Sequence, residues 1–176
     1  MTDISKQDEA VVKNIEALNS GNPLFIKNTL VDIRENGHPD YIPVLIDLIA
    51  KHKDTELVDI IKAFISDIKD SSIKQILLDS INNDKNVGIK KDLLSICWES
   101  AIDFSEHLDL FVDIVINDGF DSSFEALTVI ENLDKEISED IINSNIDRLK
   151  AAISDADESK KYVLHETIGV LQKRIA

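Results

Sequence analysis

Apolar side chains recur at steps of three and four along nearly the whole chain. The rhythm is explicit in Val11, Val12, Ile15 and Leu18, in Leu57, Ile61, Phe64, Ile65 and Ile68, in Ile142, Ile146 and Leu149, and in Leu164, Ile168 and Leu171. Steps of that size gather the apolar groups on one face of a 3.6-residue helix, whereas a half-buried strand would alternate them in twos. Aromatic residues are only 5% of the chain, so its core must be chiefly aliphatic, above all isoleucine. Isoleucine prefers strands by intrinsic propensity, and the period therefore decides for helix against the propensity. Sparse punctuation agrees: the chain has 5 Gly and 3 Pro, where an average chain of this length has roughly twelve and nine.

The spacing predicts ten helices, near 4 to 19, 23 to 36, 40 to 52, 55 to 68, 72 to 83, 88 to 101, 104 to 117, 122 to 133, 137 to 153 and 158 to 175. Gly21-Asn22-Pro23 supplies a C-terminal glycine, a capping side chain and a proline for the first helical position, and Gly37-His38-Pro39 repeats the device. Asp103 with Glu106, Ser122 with Glu125, and Asp155 with Glu158 have capping-box spacing. Short connections imply that consecutive helices run antiparallel.

A four-residue pattern favours a repeated array over a bundle. Ile46-Asp47-Leu48-Ile49 recurs as Leu78-Asp79-Ser80-Ile81, Val112-Asp113-Ile114-Val115 and Ile146-Asp147-Arg148-Leu149, at offsets of 32, 34 and 34 residues. A helix pair occupies about that period in helical solenoids.

The segment Asp40-Tyr41-Ile42-Pro43-Val44-Leu45-Ile46-Asp47-Leu48-Ile49 resembles the first helix of a HEAT repeat, with its proline in the first turn and aliphatic pairs behind it. Asp84-Lys85-Asn86-Val87-Gly88-Ile89-Lys90 resembles the family's inter-helix aspartate, followed by a branched aliphatic and a basic residue at the start of the second helix; Ile26-Lys27 matches the same pair earlier in the chain. The proline occurs only in the second pair, and the basic position is Asp59 in one repeat and Glu125 in another. The resemblance implies an all-α fold, a right-handed α-solenoid forming one domain over residues 1–176. Its five antiparallel pairs would cover about 1 to 36, 38 to 69, 70 to 101, 103 to 134 and 135 to 176, with an irregular helical bundle as the alternative.

Charge narrows the partners. Nineteen basic residues against 34 acidic ones leave a formal charge of -15, which repels phosphate backbones and anionic lipid. Solubility is the simpler account of such acidity, and a docking surface for a basic protein is the sharper one. No apolar run approaches the roughly 20 residues that cross a bilayer. The polar opening Met1-Thr2-Asp3-Ile4-Ser5-Lys6 has no apolar core of a signal peptide, so a cytoplasmic location is expected. Arginine stands only at positions 34, 148 and 174 among the 19 basic residues; with the many isoleucines and asparagines this suggests an AT-rich bacterial genome.

The residues that carry chemistry are scattered. His38, His52, His107 and His165 stand apart, and the single Cys97 lies beside Trp98 and Glu99 with no basic neighbour to lower its pKa. The five glycines assemble no phosphate-binding loop. Asp103, Glu106, Asp109 and Asp113 fall close to one helical stripe that could hold a cation or a basic partner or simply face water, and the repeated Asp47, Asp79, Asp113 and Asp147 are either a ladder or a shared surface position. No catalytic residue, metal ligand or cofactor is assigned.

In HEAT-like proteins the second helix of each pair lines the concave surface that holds partners. The resemblance therefore implies a surface whose middle contains Lys62, Lys90, Lys91, Asp92, Trp98 and Glu99. The expected function is a non-catalytic scaffold or adaptor for a protein or peptide, with no nucleic acid and no membrane. The alternative is an acidic inhibitor or immunity protein that neutralises a basic toxin or enzyme. HEAT-like DNA glycosylases share only the architecture, since the basic groove and aromatic residues that hold DNA are missing here.

Overall fold

A computed structural model describes residues 4–34 and 38–175, with side chains from Glu9 onward. Among them are ten α-helices and no strand. Contacts divide the chain into two compact units, Met1–Ile89 and Lys90–Ala176, and the division falls within the helix pair expected over 70 to 101.

The first unit contains α1 (Ile4–Leu18), α2 (Pro23–Asp32), α3 (Tyr41–Lys51), α4 (Thr55–Ser66) and α5 (Ile73–Ile81), followed by a 3-10 segment over Asp84–Ile89. The Gly21-Asn22-Pro23 device works as expected: Gly21 takes a left-handed φ of 71°, the Asn22 carboxamide accepts from the amides of Leu24 and Phe25, and Pro23 opens α2. The helix expected over 23 to 36 ends earlier, at Asp32, with Ile33 as its C-cap; residues 35–37, Gly37 among them, lie outside the described residues. On α4 the buried Leu57, Ile61, Phe64 and Ile65 form the periodic stripe. Each such side chain contributes about 1.5–3 kcal/mol on leaving water, enough together to override the strand preference of isoleucine. In this unit α1 packs on α2 and α3, α3 on α4 and α5, and α2 on α4.

The second unit contains α6 (Lys90–Glu99), α7 (Leu108–Asn117), α8 (Phe120–Glu131), α9 (Glu139–Ala152) and α10 (Glu158–Lys173), with 3-10 turns over Ser105–His107 and Ile153–Asp155. Here α8 packs on α6, α7 and α10, and α9 packs on α7 and α10. The paired rings of Phe104 and Phe111, edge to face with centroids 6.0 Å apart, are the largest fully enclosed side chains of this core.

The expected capping boxes are corrected. A cap needs an extended backbone just ahead of the first helical turn, and Gly119 (ψ 165°) and Asp157 (ψ 171°) have it. Ser122 is therefore already inside α8, and Glu125 turns to Trp98 instead. Asp155 closes a 3-10 turn two residues before the true cap, Asp157. Asp103 does hold the Ser105 amide, but it serves the turn before α7, whose cap position is His107. Side-chain caps stand instead at Asn22, Asp54, Ser138 and Asp157. Replacing Asp54 with alanine frees the amides of Glu56 and Leu57; we expect a loss of about 1 kcal/mol, read from the midpoint of urea denaturation.

Candidate binding surfaces

Among the described residues, six of the nine large apolar side chains that remain exposed stand on even-numbered helices: Leu24, Phe25 and Val31 on α2, Phe120 and Phe124 on α8, and Tyr162 on α10. Five of these six are on α2 in the first unit and α8 in the second, which are therefore the helices with apolar groups to offer.

In the first unit, α2 and α4 enclose a groove of about 180 Å3 lined by Leu30, Val31, Ile60, Ala63 and Phe64. The Arg34 guanidinium and the Asp67 carboxylate, 3.1 Å apart, form part of its wall. Lys62 stands half-buried on α4.

In the second unit, the turn between α7 and α8 is held from two sides. Lys90, at the start of α6, places its ammonium 2.7 Å from the Asp118 carboxylate, and both side chains are largely enclosed, at 18% and 23% exposure. From α10, the Lys160 ammonium donates to the Asp118 carbonyl and, at 2.6 Å, to Ser123 Oγ. Burial lowers the Lys160 pKa, and the charges of Asp118 and Asp157 act against that shift. Ser123 is fully enclosed and its hydroxyl faces the carbonyls of Ile114, Asp118 and Gly119. The lysine and serine therefore make a clasp, not an exposed nucleophile with its base. At the other end of α8, the Arg174 guanidinium donates to the carbonyls of Ile130 and Leu133. Lys160→Met removes the charged donor from the Asp118 carbonyl and should cost about 1–2 kcal/mol, measured by denaturant unfolding.

Beside this turn lies a cleft of about 470 Å3 whose walls include Phe120, Asp118, Asp155, Asp157 and Lys160. Backbone hydrogen bonding from the Lys160 amide, with help from Ser159, holds the Asp157 carboxyl below its usual range. Phe120 and Phe124, one turn apart on α8, stack with centroids 6.1 Å apart and planes inclined by 26°, and each residue is nearly half exposed, at 46% and 45%.

Of the residues expected at a partner surface, the second unit holds five and the first holds Lys62. Lys91 and Glu99 are exposed on α6, and Asp92 lies in its first turn. Trp98 is half-buried and its indole N–H donates to Glu125 Oε2 at 2.7 Å, which joins α6 to α8. Lys90 is committed to Asp118, so it serves the packing of α6 against the turn. The pair Phe120–Phe124 was not anticipated; two phenylalanines four apart in a chain with six were its only signal.

The repeated aspartates behave as surface positions. Asp47 pairs with Lys51 at 3.3 Å, Asp79 accepts from Gln75 at 2.8 Å, and Asp147 meets Lys150 at 3.7 Å, each within its own helix. Asp113 alone reaches across, to Arg148 on α9, which also approaches Asp109 at 3.8 Å. Among the described residues no group of three His, Cys, Asp or Glu side chains is placed to hold a metal ion. Cys97 is buried, which pushes its thiol pKa up. No described helix is long and apolar enough to cross a membrane.

No protein-family model matches the chain, and comparisons with curated proteins and with solved structures likewise found no match.

Proposed function

We propose that this chain is a HEAT-like helical-repeat module that holds a protein or peptide partner on its even-numbered helices without acting on it chemically. The carrying observation is the concentration of exposed apolar side chains on α2 and α8. Within each unit, helices two apart in the chain pack side by side, as the second helices of successive repeats would. Polar links between such helices support the same reading: Asn14–Tyr41, Lys27–Glu56, Trp98–Glu125, Asn145–Asp109 and Arg148–Asp113 join residues 27 to 36 apart. On this reading the protein works in the cytoplasm, and its formal charge of -15 selects a basic partner and speeds the encounter.

Affinity capture of the tagged chain from its own cells at low and high salt tests the proposal, followed by titration with the purified partner. A stoichiometric complex that weakens with salt is the expected result; no enriched protein at either salt would sink it. The acidity also favours a second reading, an inhibitor of a basic enzyme. Assaying the captured partner decides between them, since an inhibitor abolishes its activity and a scaffold leaves it intact.

A further inference from the structure

We infer that the outward face of α8 seats an arginine-bearing basic segment of the partner, with a guanidinium lying over the Phe120–Phe124 rings beside Asp121. This rests on the protein-binding reading above and gives it a place and a chemistry.

The argument starts from α8. Its inward side is filled by Ser123, Ala126, Leu127, Val129 and Ile130, all buried. Phe120 and Phe124 are left at the surface, stacked on one another. The helix carries Asp121, Glu125 and Glu131 and has no lysine or arginine among its 12 residues. Asp121 lies three positions before Phe124, so a carboxylate and an aromatic face share one turn. Nearby cations are already committed: Lys90 to the Asp118 carboxylate, Lys160 to the Asp118 carbonyl and Ser123. Asp121, and Asp155 on the wall of the adjoining cleft, take part in no ion pair among the described residues.

A flat aromatic pair next to open carboxylates fits a guanidinium better than an ammonium. Guanidinium is planar, weakly hydrated, stacks on rings and bonds a carboxylate with two parallel N–H groups, whereas lysine is a strongly hydrated point charge. The segment must come from another protein. A second copy of this chain brings the same charge of -15, and its three arginines are engaged: Arg34 with Asp67, Arg148 with Asp113, and Arg174 with the carbonyls closing α8.

The test uses fluorescently labelled nona-arginine and nona-lysine with the full chain, by anisotropy, together with amide chemical-shift mapping. Nona-arginine should bind about two- to fivefold more tightly than nona-lysine, and shifts should concentrate on α8 and residues 155–160. Phe120→Leu with Phe124→Leu keeps apolar bulk while removing the ring faces, and should erase the arginine preference; Asp121→Asn should weaken both peptides. Equal binding of the two peptides to the wild type, a preference that survives the leucine variants, or shifts confined to other helices would overturn the inference. Should the native partner bind the leucine variants as well as it binds wild type, the seat on α8 is wrong and the protein-binding reading stands. Should the wild type take up nona-arginine as described while its own cells yield no partner, the seat stands and the protein-binding reading fails.

Discussion

Phe111→Ala is expected to remove about 3–5 kcal/mol of stability, the cost of an unfilled aromatic cavity. Phe111 is wholly buried, and its ring and that of Phe104 meet edge to face with planes inclined by 88°. Phe104 immediately precedes the 3-10 turn over Ser105–His107 that leads into α7. Deleting one ring therefore empties the core and unpins the approach to α7 together. Trp98 is the only tryptophan and lies in the same unit, so its fluorescence during urea unfolding reads the effect directly. Phe111→Leu should lose appreciably less, because most of the volume is retained. A loss under about 1 kcal/mol for the alanine variant would contradict the packing described.

Asp103→Ala should cost on the order of 2 kcal/mol at neutral pH, and the loss should shrink in acid. One oxygen of Asp103 accepts from the Ser105 hydroxyl and from the amides of Ser105 and, at 3.3 Å, Asp134; the other lies 3.3 Å from the Lys135 ammonium. Burial works to raise the carboxyl's pKa, but the Ser105 hydroxyl, Lys135 and the two amides outweigh it and bring it from 3.8 to about 2. A carboxyl whose folded pKa lies below its unfolded one binds protons more readily when unfolded. Its stabilisation is therefore complete above the unfolded pKa and is lost as pH falls from about 4 toward 2. Denaturation of wild type and variant at pH 7 and pH 2 should show the gap closing; an unchanged gap would mean that the charge of Asp103 plays no part.

The helices were legible because their period repeats over many residues. Expected starts and ends mostly agree with the observed ones within two or three residues, and the clearest departures have local causes. Residues 84–89 and 105–107 form 3-10 turns, so α6 and α7 begin later than the apolar rhythm alone implies. Caps were less legible, since the spacing of Ser122 and Glu125 is that of a capping box whatever the backbone does, and only the extended conformation of Gly119 places the start of α8. The surface was least legible. Sequence placed Lys90 on the expected partner surface, but Asp118, which pairs with it, is 28 positions away and meets it only after α6 packs on α8. Trp98 read as a packing residue more readily than as an anchor, and its indole N–H does join α6 to α8 through Glu125. The exposure of Phe120 and Phe124 depends on which side of α8 its neighbours cover, which no local pattern fixes.

The tethering of α8 has an entropic consequence. Lys160 fastens the turn at its beginning and Arg174 the carbonyls at its end; the first lies on α10 and the second is the residue that caps it. A helix fixed at both termini has little fraying left to lose, so a ligand arriving on its outer face meets a surface already ordered. Association then forfeits less disorder than it would on a helix with loose ends, and more of the contact energy appears as affinity.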